Sequence, residues 1–138
     1  MTKKYIFILL SNVIIFLIGI LLNTSMSLLT FIVIAYLLPM IVNNILNLII
    51  KGNRNIKSNL FISGITTVCY FIFSIYFISR PTFENFINEN QKNTGSITIE
   101  VNSGLANIEQ LTFVFLLNFI SLFLLSLFIR KKDSNVRN

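Results

Sequence analysis

The chain has 138 residues, is 54% hydrophobic and 12% charged, and carries a formal net charge of +6 with a mean hydropathy of +0.79. Soluble domains carry about 25% charged residues, and a fold of this size has too little interior to hide so much apolar surface. A water-soluble globule is therefore excluded, and the bilayer is the expected solvent for most of the chain.

Four apolar runs, residues 5–22, 26–50, 60–79 and 111–129, stand out along the sequence. Each approaches or exceeds the roughly 18–20 residues that cross about 30 Å of hydrocarbon as helix. The alternating segments of a membrane barrel are missing, so backbone groups must be satisfied within helices. The first run, YIFILLSNVIIFLIGILL, follows Lys3 and Lys4. It is longer than the apolar core of a secretory signal, and LLNTSMS offers no small-x-small cleavage site, so a retained helix is expected. A tight turn around NTSM (23–26) makes the first two spans an antiparallel hairpin.

The second run contains Pro39, which frees a carbonyl near position 35 and predicts a kink. It continues as PMIVNNILNLII. Asn43 and Asn47 are an i, i+4 pair on one face, with Asn44 about 100° away. Asn12 of the first run falls at a similar depth, roughly 10 Å from the basic side, and Ser63, Thr66 and Thr67 open the third run on that side. This intramembrane polar cluster is expected to hold the first three spans together by interhelical hydrogen bonds of about 0.6 kcal/mol, up to roughly 2, each. A polar cavity that binds an ion or small molecule is the alternative.

The KGNRNIKSN turn (51–59) is short and basic, and only the 80–110 segment has room for structure of its own. In PTFENFINEN, Phe83, Phe86 and Ile87 share one face of a short helix. Such a helix either lies in the headgroup layer or caps the mouth of the bundle. ITIEV alternates, placing Ile97, Ile99 and Val101 on one side of a short strand that needs a partner, in a dimer or in another protein. These six apolar residues are candidate contacts for a membrane-protein partner or a second copy.

Nine of the eleven basic residues fall on one side of the predicted spans, and four of the five acids fall on the other. The positive-inside bias then places both termini and the 51–59 turn in the cytoplasm and residues 80–110 outside. The expected fold is all-α: a single four-transmembrane-helix bundle over residues 1–138, built as two antiparallel hairpins, with a small structured extracellular segment between the third and fourth helices. The expected location is the cell membrane. Lys51, Arg54, Lys57, Arg130, Lys131 and Lys132 are expected to contact anionic headgroups. The RKKDSNVRN tail is too short for a nucleic-acid surface.

Little in the chain performs chemistry. Histidine is absent, and the one cysteine, Cys69, lies mid-span among apolar neighbours, where a thiol is inert. The glutamates lie outside the spans, so no ionisable group is expected within them, which argues against a proton-coupled transporter. No metal-ligand spacing, phosphate-binding loop or nucleophile motif occurs. No catalytic residue, metal or cofactor is therefore expected, and the hydroxyls facing the cytoplasm reduce to Ser58 and Ser134.

Five stretches, KKYIFILLSN, the proline of the second span, RPTFENFI, ITIEVNSGLANIEQLTF and IRKK, occur in this order along nearly the whole chain. In these the sequence resembles the staphylococcal Msa-type membrane proteins, modulators of the regulator SarA. The resemblance implies a small integral membrane protein that influences virulence-regulator expression, and it implies no site residues. The expected function is a non-enzymatic regulatory or signalling role. An accessory or immunity-type subunit of a transporter is the alternative, and a holin-like pore former a more distant one.

Overall fold

In a computed structural model, which describes residues 2–22, 26–50, 55–93, 98–99 and 104–136, four helical runs are long and apolar enough to cross a membrane. They are Lys3–Leu21, Leu28–Ile49, Ile56–Ile78 and Ile108–Ile129. The first lies in α1 (Thr2–Leu21). The second is composite: α2 (Leu28–Ile32), a π-helical turn (Val33–Leu37) and α3 (Leu38–Ile49). The third is α4 (Ile56–Ile78) and the fourth lies in α6 (Ile108–Val136), with the short helix α5 (Phe83–Asn90) between them.

Local chemistry sets the helix starts. The Ser27 hydroxyl accepts from Thr30 N–H at the head of α2, and Asn55 Oδ1 accepts from Ser58 N–H at 2.9 Å at the head of α4. The expected disturbance at Pro39 takes a specific form. Pro39 has no N–H to return to Ala35, and just before it the Leu38 N–H bonds the Val33 carbonyl, five residues back. This wide turn re-phases the span, so Phe31, Ile34, Ala35, Pro39, Asn43 and Asn47 all face inward.

α4 is the central helix, packed against both α1 and α6. Leaving the end that carries Lys4 and Ser58, the interior runs in layers. An apolar layer of Ile8, Ile62 and Leu122 is followed by buried amides, and then by a large aromatic cluster that includes Phe16, Phe31, Tyr70, Phe73 and Phe77. Gly19 permits the close approach of α1. A Cβ there would stand 3.0 Å from Ile34 Cγ2 and 3.1 Å from Phe73 Cε2. The outward faces are apolar, as lipid requires: Phe7, Ile14, Leu29, Ile49, Ile72 and Phe128 are each at least half exposed.

α5 closes the aromatic end. Phe83 and Phe86 are buried, with the Phe86 ring 5.2 Å from Phe77 and 5.6 Å from Phe31. Capping the mouth is thus the arrangement adopted. This corrects the expectation that Phe83 and Phe86 present an external contact surface, because burial against Phe31 and Phe77 consumes that face. Ile87 is half-buried against the same cluster. A polar clasp completes the docking. Asn90 Oδ1 accepts from Leu28 N–H at 2.6 Å, and its Nδ2 donates to Met26 O at 3.3 Å and Phe86 O at 2.8 Å. Asn90 therefore caps the second span from a different helix. Asn90→Ala is expected to cost about 1 kcal/mol, the usual worth of a cap. Hydrogen exchange of the α5 amides should rise while that of α4 stays unchanged.

The strand expected over 97–101 finds a partner inside the chain. Thr98–Ile99 pairs antiparallel with Lys92–Asn93, in the register Lys92↔Ile99 and Asn93↔Thr98. Ile97 and Val101 lie outside the described residues, and so does the side chain of Ile99.

Candidate functional site: a buried amide network

Most of the polar residues that face inward are neutral amides and hydroxyls, and their geometry centres on Asn43. Its Oδ1 accepts from Asn12 Nδ2 of α1 at 2.9 Å. Its Nδ2 donates to Thr66 Oγ1 of α4 at 2.8 Å and to Asn118 Oδ1 of α6 at 3.1 Å. One side chain on the second span thus bonds each of the other three. All of these residues except Thr66 are amides, and all four are at most 1% exposed. The partners hold themselves in place by bonding their own helices. Asn12 Nδ2 also donates to Ile8 O, Thr66 Oγ1 to Ile62 O and Asn118 Nδ2 to Val114 O. Buried polar groups in lipid have no water to fall back on, so such reciprocal satisfaction is the condition for placing amides there.

Two further links run toward the end that carries Lys4. Asn44 Nδ2 donates to Ser121 Oγ at 2.6 Å and to Met40 O. Asn59 Nδ2 donates to Ser126 Oγ at 3.2 Å. Asn12 Oδ1 and Asn59 Oδ1 are buried acceptors without a hydrogen bond among the described residues. Toward the other end, Gln110 Nε2 donates to Tyr36 Oη at 2.6 Å, and Tyr36 and Tyr70 share a hydroxyl contact of 3.2 Å.

These positions revise the sequence reading in four respects. The cluster joins all four spans rather than the first three, because Asn118 and Ser121 of α6 enter it. Ser63 and Thr67 stand apart from the interhelical bonds, their hydroxyls donating to Asn59 O and Ser63 O of their own helix. Ser58 is buried and accepts from Tyr5 Oη and Lys4 Nζ, each at 3.3 Å, so it does not face the cytoplasm as expected. Finally, an ionisable group does stand beside the amides. Lys4 is 4% exposed and donates to Asn47 Oδ1, where only uncharged groups were expected.

The residues missed had a readable signal. Gln110, Asn118 and Ser126 recur every eight residues on α6, with buried Val114 and Leu122 at the intervening fourth positions. Lys4, Ile8 and Asn12 repeat the same four-residue step on α1.

Of the expected lipid contacts, Lys57 is exposed on the first turn of α4. Lys51 and Arg54 lie outside the described residues, as do the side chains of Arg130, Lys131, Lys132 and Ser134. Cys69 is a buried free thiol. Among the described residues, no group of three or more His, Cys, Asp or Glu side chains is placed to share a metal ion. The hydrogen bonds of the network join all four spans through Asn43. No protein-family model, curated protein or solved structure matches the chain.

Proposed function

We propose that this multi-pass helical protein is non-enzymatic and acts in the cell membrane as a regulatory or sensing component, with both termini in the cytoplasm. The observation that carries this reading is the Asn43 hub. Its side chain bonds a group on each of the other three spans, which supports a bundle that holds a shape. On this reading α5 lies outside the cell, clamped by Asn90 onto the head of the second span, and a load on it passes through Phe77 and Phe31 into the bundle. The Msa-type resemblance of RPTFENFI, which contains the start of α5, supports the same role. Deleting the gene should change the transcriptome under envelope stress, and full-length protein should restore it while Asn90→Ala restores it only in part. An unchanged transcriptome would reject the proposal.

A second reading, an accessory subunit of a transporter, draws on α6. Phe115, Phe119 and Phe123 form a stacked ladder with centroids 6.2 and 6.1 Å apart, half-buried along one side of that helix. Co-purification with a larger permease in mild detergent, lost on replacing these three with Leu, would favour it over the first.

A further inference from the structure

The lipid-facing seam between α1 and α4 is a groove rather than a closed contact. Leu9, Phe61, Gly64, Ile65 and Val68 line a space of about 380 Å³, and Val13, Leu17, Ile72 and Phe73 border a second space of about 120 Å³. The two meet at Cys69, which lines both. The space beside Gly64 is open, since a Cβ added there would meet nothing within 4 Å. The lining along α4 from Leu60 to Phe73 rises about 20 Å at 1.5 Å per residue. That is enough to run through the depth of one leaflet, about 15 Å.

The groove has a charged mouth. Lys57, Phe61, Gly64, Val68 and Ile72 fall at i, i+4, i+7, i+11 and i+15 of α4, so an exposed lysine stands on the same stripe at its end. Tyr5 packs beside it, its ring 4.8 Å from Phe61 in an edge contact and its hydroxyl donating to Ser58. The positive end of the α4 dipole adds to the Lys57 charge. Glu84, Glu89 and Glu109 are at the other end of the bundle, on α5 and the first turn of α6. A lysine stem lies along apolar surface while its ammonium stays at headgroup level.

We infer that this groove binds one acyl chain of an anionic phospholipid, whose headgroup phosphate pairs with Lys57. The inference needs only the membrane-embedded bundle and is independent of the regulatory role proposed above. The chain contains no tryptophan, so Phe61→Trp supplies a single reporter on the groove wall. The full-length protein carrying it is reconstituted in phosphatidylcholine vesicles with increasing fractions of brominated phosphatidylglycerol or brominated phosphatidylcholine. The anionic lipid should half-quench the tryptophan at about fivefold lower mole fraction, the factor that one lysine near a membrane surface supplies. Adding Lys57→Gln, a change at an exposed position, should abolish that preference, and Gly64→Leu should weaken quenching by both lipids. Equal quenching by the two lipids with Lys57 present would overturn the inference, as would a preference that survives Lys57→Gln. Protection from both lipids together with a cross-linked dimer would overturn it in favour of a second copy of the chain in the groove. Native mass spectrometry gives an independent reading: one retained phosphatidylglycerol per chain, lost with Lys57→Gln.

Discussion

Asn43→Leu should be among the most damaging single substitutions in the spans, destabilising the bundle by about 2–3 kcal/mol. Three interhelical bonds disappear at once, and in membrane proteins each is worth about 0.6 kcal/mol on average and up to about 1.7. The larger part of the cost comes from what stays behind. Asn118 Oδ1 loses the donor it has from Asn43, and the Asn12 amide loses its acceptor on α3. A buried polar group left without its partner costs about 1–3 kcal/mol. Reversible unfolding in mixed micelles or bicelles measures the loss. Replacing Asn12, Asn43 and Asn118 together with Leu should recover part of it, since the orphaned groups then disappear with their partner. Asn44→Leu should cost less, because its one interhelical bond, to Ser121, is only partly buried. A loss below about 0.5 kcal/mol for Asn43→Leu would show that the hub is dispensable.

The other large effect is expected at Phe77. Its ring lies within 5.2–5.8 Å of Phe31, Phe73, Phe83 and Phe86, and the residue is 0% exposed. In a soluble core, Phe→Ala costs about 3–5 kcal/mol. Lipid is as apolar as the bundle interior, so the transfer term largely cancels and the lost packing dominates. About 2–3 kcal/mol is therefore expected for Phe77→Ala. The substitution also removes the seat of α5, so the amides of residues 83–90 should exchange faster and that segment should become open to proteolysis. Phe128→Ala, at a position 72% exposed to the surroundings, should change stability by less than about 0.5 kcal/mol. If the two substitutions cost the same, the aromatic cap would not be holding the helix in place.

How much of this was legible beforehand follows from the physics of each feature. Span positions depend on length and hydropathy, which are local, so the four apolar runs mark the four helices to within a few residues. The fourth helix departs most, because α6 continues through the basic tail to Val136. The amides were legible as a face but not as a set of partners. Helical phase says that Asn43 and Asn47 point the same way, yet it leaves open which neighbouring helix lies there. Asn118 escaped because a lone amide in an apolar run raises no local signal; only the four-residue step shared with Val114 and Leu122 marks its side of α6. Charge alone puts Lys4 outside the membrane, whereas the Lys4–Ile8–Asn12 stripe places it on the inward face of α1. Pro39 predicts a kink but not a π-helical turn, since it removes a donor without dictating how the backbone regroups.

The Asn43 hub also constrains the order in which the protein can be made. The second span enters the membrane before two of the helices that will bond it exist as inserted segments. After the first hairpin has formed, Asn43 Oδ1 has the Asn12 donor, while its Nδ2 still waits for Thr66 and Asn118. A nascent chain that stops short of residue 111 therefore displays an amide with one acceptor missing at a depth where water cannot supply it. Completion of the last helix removes that mark. The same residue that fastens the finished bundle thus distinguishes it from a truncated one.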